Sequence, residues 1–326
     1  MLLDRLLESV GLDLQPFAVC DIRQGVGISL PAAREVQVHY TIRGAGELTD
    51  ERGARVLLSA ASIAIIPPDL ACELDPEGGC KRRLAVGPSS TSDHVATVVA
   101  GGGDPGVLLL CARMRAQSGG ALALFDQLRA PLVVDLAEDP RARPLFEALI
   151  EEQRSRLPGS RLMTELMLQQ CLLHGLRRLC DADPCPLPWL WAFRDTGLSR
   201  ALAAILRTPA APHSMRSLAA AAGMSRTVFA SRFAQAFGRA PMELVKQVRI
   251  GEAIRLLRTT DLTVEVVAAR VGFSSRALFS RELAAALGQA PGWPSLGGAN
   301  DPRSTRGRTY PSRRRRAGEP PARGSA

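Results

Sequence analysis

The chain has 326 residues, 22% of them charged and 46% hydrophobic, with 4% aromatic residues and a formal net charge of +9. That length suggests two domains, each large enough to bury a core. Apolar runs such as AASIAIIPP and GVLLLCA fall short of the roughly 18 to 20 residues that a membrane-spanning helix needs. The N-terminus carries Asp4 and Glu8 and does not read as a signal peptide, so a cytoplasmic protein with no membrane partner is expected.

Charge divides the chain. Residues 1 to 194 hold 20 basic against 24 acidic side chains, net −4, whereas residues 195 to 326 hold 21 against 8, net +13. A basic half of this kind points to a polyanion, nucleic acid first and anionic lipid second. The seven cysteines, Cys20, Cys72, Cys80, Cys111, Cys171, Cys180 and Cys185, show no C-x-x-C pair and no regular framework. That spacing argues against a zinc finger or a disulfide scaffold. Buried free thiols are the plain expectation, and a redox sensor is the sharper alternative.

In chain order, Leu2, Leu3, Leu6, Leu7 and Val10 make a short amphipathic opening. Strand grammar follows. In EVQVHYTIRG, Val36, Val38, Tyr40 and Ile42 alternate with polar residues, which predicts a half-buried strand. VLLSAASIAIIPP, HVATVVAG and GVLLLCARMR are further short apolar runs between turn residues, and together they predict a small sandwich or barrel. GGGDPG at 101 to 106 reads as a connecting turn, because no Lys-Ser/Thr follows to make it a phosphate loop.

From about Pro140 the period becomes helical. Leu145, Phe146, Leu149 and Ile150 form one stripe, and PGS at 158 to 160 offers a breaker and an N-cap in Ser160. The next helix is expected to place Leu162, Leu166, Leu173, Leu176 and Cys180 on one face. Such helices can pack on the barrel or pair with a second chain, and both alternatives stay open. DADPCPLPW, with Pro184, Pro186 and Pro188, cannot be helix interior and reads as a linker.

A near-repeat then appears. LAAAAGMSRTVFASRFAQAFGRAP at 218 to 241 lies over VAARVGFSSRALFSRELAAALGQAP at 267 to 291, with Gly272 falling 49 residues after Gly223 and one extra residue after the second serine. Each copy reads as a helix, a glycine turn and a second helix, capped by Ser225 in the first and by Ser274 in the second, which is helix-turn-helix grammar. Phe229, Phe233 and Phe237 face inward at i, i+4, i+8, leaving Arg226, Thr227, Ala230 and Ser231 outside. In the second copy Phe279, Leu283 and Leu287 are the core stripe, leaving Arg276, Ala277, Ser280 and Arg281 outside. A recognition helix needs this division, anchored on one side and reaching base edges on the other. The intervening PMELVKQVRIGEAIRLLRTT predicts a helix of about 18 residues, roughly 27 Å long. That length suits two recognition helices near the ~34 Å separation of successive major-groove faces.

With Gly223, Ser225, Phe229, Phe233, Gly238, Pro241, Arg249, Ala253, Leu257, Ala268, Gly272, Phe273, Phe279, Arg281, Gly288 and Pro291, residues 195 to 293 resemble the double helix-turn-helix of AraC/XylS-type transcription regulators. HYTIRGAGEL, IAIIPPDLACEL, LLLCARMR and LPGS make the first half similar to the cupin-type sensor domain of one subgroup, and Pro241-Met242 fits the same subgroup. The resemblance implies an α+β multidomain chain. Its parts are a cupin-like effector-binding β-barrel at 1 to 139, a helical connector with homodimer contacts at 140 to 188, an all-α double helix-turn-helix at 195 to 296 and a basic tail at 297 to 326.

The implied DNA-binding residues are Ser225, Arg226, Thr227, Ala230, Ser231, Arg232, Ser274, Ser275, Arg276, Ala277, Ser280 and Arg281. His39, Tyr40 and Cys72 are the effector-binding candidates. The implied partners are double-stranded DNA, a small-molecule effector, a second copy of the chain and, for an activator, RNA polymerase. The chain departs from the family pattern at Ser231, where Arg is usual, and at Leu283, where an aromatic is usual. Ala230 and Ala277 can touch only a thymine methyl. Trp293-Pro294 and then Gly297 and Gly298 should stop the customary final helix. The low-complexity tail with RRRR at 313 to 316 either adds non-specific phosphate affinity or reflects a changed reading frame.

Enzymatic function is not expected. Metal oxygenase sites on such barrels want two or three His and a carboxylate, but of four His, namely His39, His94, His174 and His213, only the first two lie in the β region. No H-x-H and no G-x-S-x-G occurs, so neither a metal, a cofactor nor a catalytic nucleophile is predicted. The competing reading is a ligand-binding or interaction protein whose second helix-turn-helix is degenerate and whose DNA affinity is non-specific.

Overall fold

The computed structural model describes residues 2–10, 12–85, 95–116, 124–125, 127–155 and 157–287. His94, Gly288, Pro291, Trp293, Pro294, Gly297, Gly298 and the tail with its arginine run lie outside the described residues, as does the side chain of Val10.

A short helix α1 (Leu2–Val10) leads into β1 (Leu12–Arg23), β2 (Gly25–Leu30), β3 (Val36–Arg43), β4 (Gly46–Asp50), β5 (Arg55–Leu58), β6 (Ser62–Ile66), β7 (Cys72–Pro76), β8 (Cys80–Ala85), β9 (Ala96–Ala100), β10 (Pro105–Ala116) and β11 (Leu132–Asp135). One sheet has the order β11-β6-β3-β10-β1-β9 and the other β5-β4-β7-β2-β8. Pairing is antiparallel except at β1 with β9 and β2 with β8. The inner faces meet in an apolar cluster that includes Ala18, Cys20, Ile22, Leu109 and Cys111 from the larger sheet and Ile28, Leu30, Leu48, Cys72 and Leu74 from the smaller. The GGGD of GGGDPG, residues 101 to 104, forms the bend between β9 and β10, with Gly101 and Gly103 at positive φ, and Pro105 and Gly106 begin β10.

The outer face of the larger sheet is covered by α2 (Arg143–Ser155) and α3 (Ser160–Asp181). This changes the reading of β3. Its alternation predicted one wet face, yet Gln37, His39 and Thr41 are as buried as Val38 and Tyr40. The strand is central in its sheet, so helices close one face and the barrel interior the other, and the polar residues lie inside.

Three further expectations are corrected. Ser160 is the first residue of α3 rather than its cap: Gly159, at φ 84°, takes the cap position, and the Ser160 hydroxyl donates to Glu152 O at 3.2 Å. The buried stripe of α3 is Leu168, Cys171, Leu172, Gly175, Leu176 and Leu179. That is i, i+3, i+4, i+7, i+8, i+11, so of the proposed face Leu162 and Leu166 are exposed and only Leu176 is fully inside. The proline-rich segment is no loose linker either. It ends in α4 (Pro188–Trp191), with proline at the first helical turn, and buries Leu187, Trp189 and Leu190. Trp189 stacks edge-on against Phe125 and Phe193, with centroids 6.1 and 6.3 Å away.

The remaining helices are α5 (Thr196–Arg207), α6 (Met215–Ala222), α7 (Arg226–Phe237), α8 (Pro241–Thr259), α9 (Val264–Arg270) and α10 (Arg276–Ala286). The core that lies over the outer sheet face runs without a break through Trp189 into Phe229, Phe233, Phe237 and Val248. Helix α1, whose Leu6 is fully buried, packs against α5 and α8, and α4 packs against α7. The last part of the chain has its own core of Ile250, Ala253, Ile254, Leu256, Val267, Ala268, Val271, Phe279 and Leu283.

Candidate nucleic-acid interface

Each half of the repeat folds as a helix pair for a local reason. Ser214 and Ser217 form a capping box at the start of α6, and Gly223 ends that helix in the left-handed region at φ 69°, where a Cβ would be strained. Ser225 then caps α7, its hydroxyl accepting from Val228 N at 3.3 Å. Phe229 and Phe233 have no exposed surface, and successive rings along the stripe lie 5.4 and 4.5 Å apart. In the second copy Thr263 caps α9, Gly272 sits at φ 87°, and Phe273 packs on the buried Phe279 at 5.2 Å. The cap of α10 is Ser275, which accepts from Leu278 N at 3.3 Å; it is not Ser274. The extra residue of the second turn lies before the cap, so the second serine of the pair holds the position that Ser225 holds in the first copy.

This geometry places the candidate residues on two outward helix faces. Ser225, Arg226, Thr227, Ser231 and Arg232 are exposed at the start of α7, with Ala230 half-buried. Ser274, Ser275, Arg276, Ala277, Ser280 and Arg281 are all exposed at the start of α10. Two of the arginines are already engaged. Arg232 pairs with Asp195 at 2.5 Å, and Arg276 with Glu265 at 2.7 Å. Neither Arg226 nor Arg281 has an ion pair among the described residues. Val228, half exposed on α7, adds an apolar contact of the kind that suits a thymine methyl; beside the phenylalanine stripe an apolar residue in this helix gives no sign in the sequence of facing outward.

Two features set the relation between the helix pairs. Helix α8, of 19 residues, spans roughly 28 Å at 1.5 Å per residue. Near its middle Arg249 donates to three backbone carbonyls, Pro209 O, Ala211 O and Gly272 O, each at 2.8 Å. One guanidinium thus ties the connector to the second turn and to the segment after α5. Burial lowers the pKa of this group from its ordinary value, yet an arginine keeps its charge. Gly272 also admits the chain after α5: a Cβ there would stand 2.7 Å from Ala210 O. At the opposite end of the first pair the Gln127 amide, oriented to satisfy both of its ends, donates to Gln235 O at 3.2 Å and accepts from Gly238 N.

The barrel candidates are separated. His39 and Tyr40 are sequence neighbours, so the period of two sends them to opposite faces of β3. Tyr40 points at the helical layer, donates its hydroxyl to Leu168 O at 2.9 Å and packs near Phe146. Burial raises its pKa, with a smaller contribution from Cys171. His39 faces the interior opposite Cys111 and Ala64. It is 1% exposed, neither ring nitrogen has a hydrogen-bond partner among the described residues, and burial depresses its pKa to about 4. Cys72 belongs to the same interior cluster, its thiol pushed up to about 12 by burial and then by Asp50 and Glu51. Thr41 Oγ and Arg113 Nε are further buried polar atoms without partners there, the Arg113 guanidinium lying 4.9 Å from the Phe17 ring. Among the described residues no group of three His, Cys, Asp or Glu side chains is placed to hold a metal ion, and no helix is long and apolar enough to cross a membrane.

A two-sheet barrel joined through a shared core to paired helix-turn-helix units defines a barrel-linked helix-turn-helix architecture. A cupin family model matches residues 2–181, and a helix-turn-helix domain model matches residues 218–292. The chain belongs to the AraC/XylS-type transcription regulators with an N-terminal cupin domain. It is 32% identical over 150 residues to the HTH-type transcriptional regulator AlkR of Acinetobacter baylyi, covering 45% of this chain and 48% of that one. It is also 32% identical over 173 residues to an AraC-like transcription regulator of Streptomyces lividans, covering 52% and 57%. The chain thus spans about half the length of the curated relatives it matches. Among solved structures, the DNA-binding domain of the global transcriptional factor AdpA, in complex with a target DNA, is 33% identical with a TM-score of 0.28, covering 30% of this chain and 86% of that one.

Proposed function

We propose that this chain is a sequence-specific DNA-binding transcription regulator whose barrel receives a small effector. The observation that carries the reading is the pair of exposed helix faces at the N-terminal ends of α7 and α10. Each is fixed by a serine cap and anchored by buried phenylalanine, and the two are held one connector helix apart. In this reading the two helices enter successive major-groove segments. Ser225, Arg226, Thr227, Ala230, Ser231 and Arg232 serve one, and Ser274, Ser275, Arg276, Ala277, Ser280 and Arg281 the other. The same reading takes 1–139 as the effector-binding domain, 140–188 as the connector, 195–296 as the DNA-binding domain and 297–326 as a basic tail.

The effector reading rests on His39 of the larger sheet, with Cys72 of the smaller sheet in the interior cluster. Buried polar groups without partners cost about 1–3 kcal/mol each, and a small molecule bearing a hydrogen-bonding group would satisfy them. Tyr40 is excluded by its orientation. A second copy of the chain is the expected partner for the N-terminal half of α3, where Leu162, Met163 and Leu166 are exposed. Contacts with RNA polymerase belong to this reading if the protein activates.

The test is footprinting with the full chain and with a chain ending at Leu296. Specific protection by both supports the reading. Weak, strongly salt-dependent binding confined to the full chain would mean that the basic tail supplies the affinity, and the alternative of a ligand-binding protein with only non-specific DNA affinity would replace it.

A further inference from the structure

The interior of the barrel brings together two sulfurs that are 91 residues apart in the sequence. The antiparallel register of β1 on β10 sets Ala18 opposite Cys111 and Cys20 opposite Leu109, so the two cysteines are diagonal neighbours on the inner face. Their sulfurs lie 3.7 Å apart and neither residue has exposed surface. His39 stands directly across from Cys111 on the other side of β10. The geometry points to Cys20 and Cys111 as a reversible oxidation site inside the sensor barrel, which a small hydroperoxide converts to a disulfide joining β1 and β10.

The roles of the two sulfurs differ. The two thiols are in hydrogen-bonding contact in which either can donate; with Cys111 as donor the contact favours the thiolate of Cys20 and lowers its pKa, while the contact and burial raise that of Cys111. Cys20 is therefore the attacking group, since the thiolate is the nucleophile. It attacks one peroxide oxygen, forming an S–O bond, breaking O–O and releasing hydroxide, which takes a proton to become water. Cys111 then attacks the Cys20 sulfur, forming S–S and breaking S–O, and the second hydroxide leaves as water with the Cys111 proton. The neutral His39 ring, with a free lone pair, is placed to relay that proton. Two thiols and one hydrogen peroxide give one disulfide and two waters, the two electrons passing from sulfur to oxygen.

The other thiols are set apart. Cys72 and Cys171 are pushed up to about 12 by burial, and among the described residues no sulfur outside the Cys20–Cys111 pair is in hydrogen-bonding contact with a second one. Closing the bond draws the sulfurs from contact to about 2.05 Å, which requires the two strands to shift slightly because diagonal positions start about 7–8 Å apart at Cα. Strand β1 carries Val19 on its other face, within the core layer beneath α3 that continues to Phe229. The bond thus forms where a strand movement meets the first helix-turn-helix.

The experiment uses the full, reduced chain treated with hydrogen peroxide, alkylated, digested and analysed by mass spectrometry. The inference expects a Cys20–Cys111 linked peptide, the loss of two of the seven thiols and their return with dithiothreitol, with far-UV circular dichroism unchanged. Oxidised glutathione, too large to reach buried sulfurs, should leave the pair reduced. Cys111→Ser, which keeps a hydrogen-bond donor beside Cys20 but cannot form the disulfide, should halt the reaction at a sulfenic acid on Cys20, trapped by dimedone. The inference is overturned if the pair stays reduced while Cys80 or Cys180 is oxidised, or if Cys20 reaches the sulfinic acid without linking. It is also overturned if the link forms only as the fold is lost, or as fast with oxidised glutathione. The readout is chemical and needs no DNA, so its failure leaves the DNA-binding reading standing, and the converse also holds.

Discussion

Asp195 does two jobs at the start of α5, and two substitutions separate them. One carboxylate oxygen caps the helix, accepting from Gly197 N at 2.9 Å and Leu198 N at 3.0 Å, while the other pairs with Arg232 of α7 at 2.5 Å. Replacing a capping Asp by Ala costs about 0.5–2 kcal/mol. The ion pair is worth less: the Arg232 side chain is 47% exposed, so solvent screening holds its contribution to about 0.2–1 kcal/mol. Asp195→Ala should therefore lower unfolding stability by about 1–3 kcal/mol. Asp195→Asn keeps an acceptor for the cap and should cost about 1 kcal/mol or less. Urea unfolding of both variants at low and high salt is the assay, and the difference between wild type and Asp195→Asn should shrink with salt. Equal losses above about 2 kcal/mol for both variants would show that the charge, not the cap, governs this corner. The pair also bears on DNA: in the proposed reading Asp195 steadies Arg232 for a base edge and not for a phosphate, so Arg232→Ala should leave the salt dependence of DNA binding nearly unchanged. A phosphate-contacting arginine would instead lower the slope by about one.

Other residues give equally separable outcomes. Arg281→Ala should weaken binding to a selected site by about 1–3 kcal/mol if its contact is bidentate to guanine, measured by fluorescence anisotropy, while unchanged affinity would remove α10 from the readout. Because Phe229 belongs to the core shared with the barrel's helical layer and Phe279 to the separate one, Phe279→Ala should loosen only the C-terminal half of α8, α9 and α10 in hydrogen exchange. Phe229→Ala, at about 3–5 kcal/mol, should loosen the helical layer over the barrel too. Ser275→Ala should cost about 1 kcal/mol and Ser274→Ala almost nothing, as thermal unfolding would show. His39 adds a pH dependence. Its native pKa of about 4 lies below the unfolded value of 6.5, so the unfolded chain binds the proton first and stability falls as pH drops from about 6.5 towards 4. At most about 3 kcal/mol is involved, and His39→Leu should flatten that slope in urea titrations at successive pH values.

The repeat was legible because its signals are local. A glycine at positive φ, a serine cap and apolar residues at helical spacing, Phe229, Phe233 and Phe237 in one copy and Phe279, Leu283 and Leu287 in the other, each act locally, and both copies of them stand at 218–241 and 267–287. What escaped the sequence depends on partners brought from afar. The Ser274–Ser275 pair offers two equivalent caps until the backbone of the turn is known. Helix α3 carries leucines on more than one face, so Leu162 and Leu166 looked as inward as Leu168 and Leu172 until the sheet beneath them was placed. Nothing local marks Arg249 as the clamp on Gly272, nor Asp195 as the partner of Arg232. The polar residues of β3 looked solvent-facing because alternation reports two faces without saying what covers the second. Strands β1 and β2 were left unassigned, since Pro16 and three glycines, Gly11, Gly25 and Gly27, break their pattern. Within β1 the register shift between Pro16 and Ala18 absorbs the irregularity.

The central claim, that α7 and α10 together read DNA, is tested most directly by selecting duplexes from a random library with the chain ending at Leu296. The selected sites should then be mapped with Arg226→Ala and Arg281→Ala variants. The account predicts two short conserved blocks about one helical turn apart, with each variant relaxing preference in a different block. A single block altered by only one variant, or enrichment of no sequence at all, would contradict it.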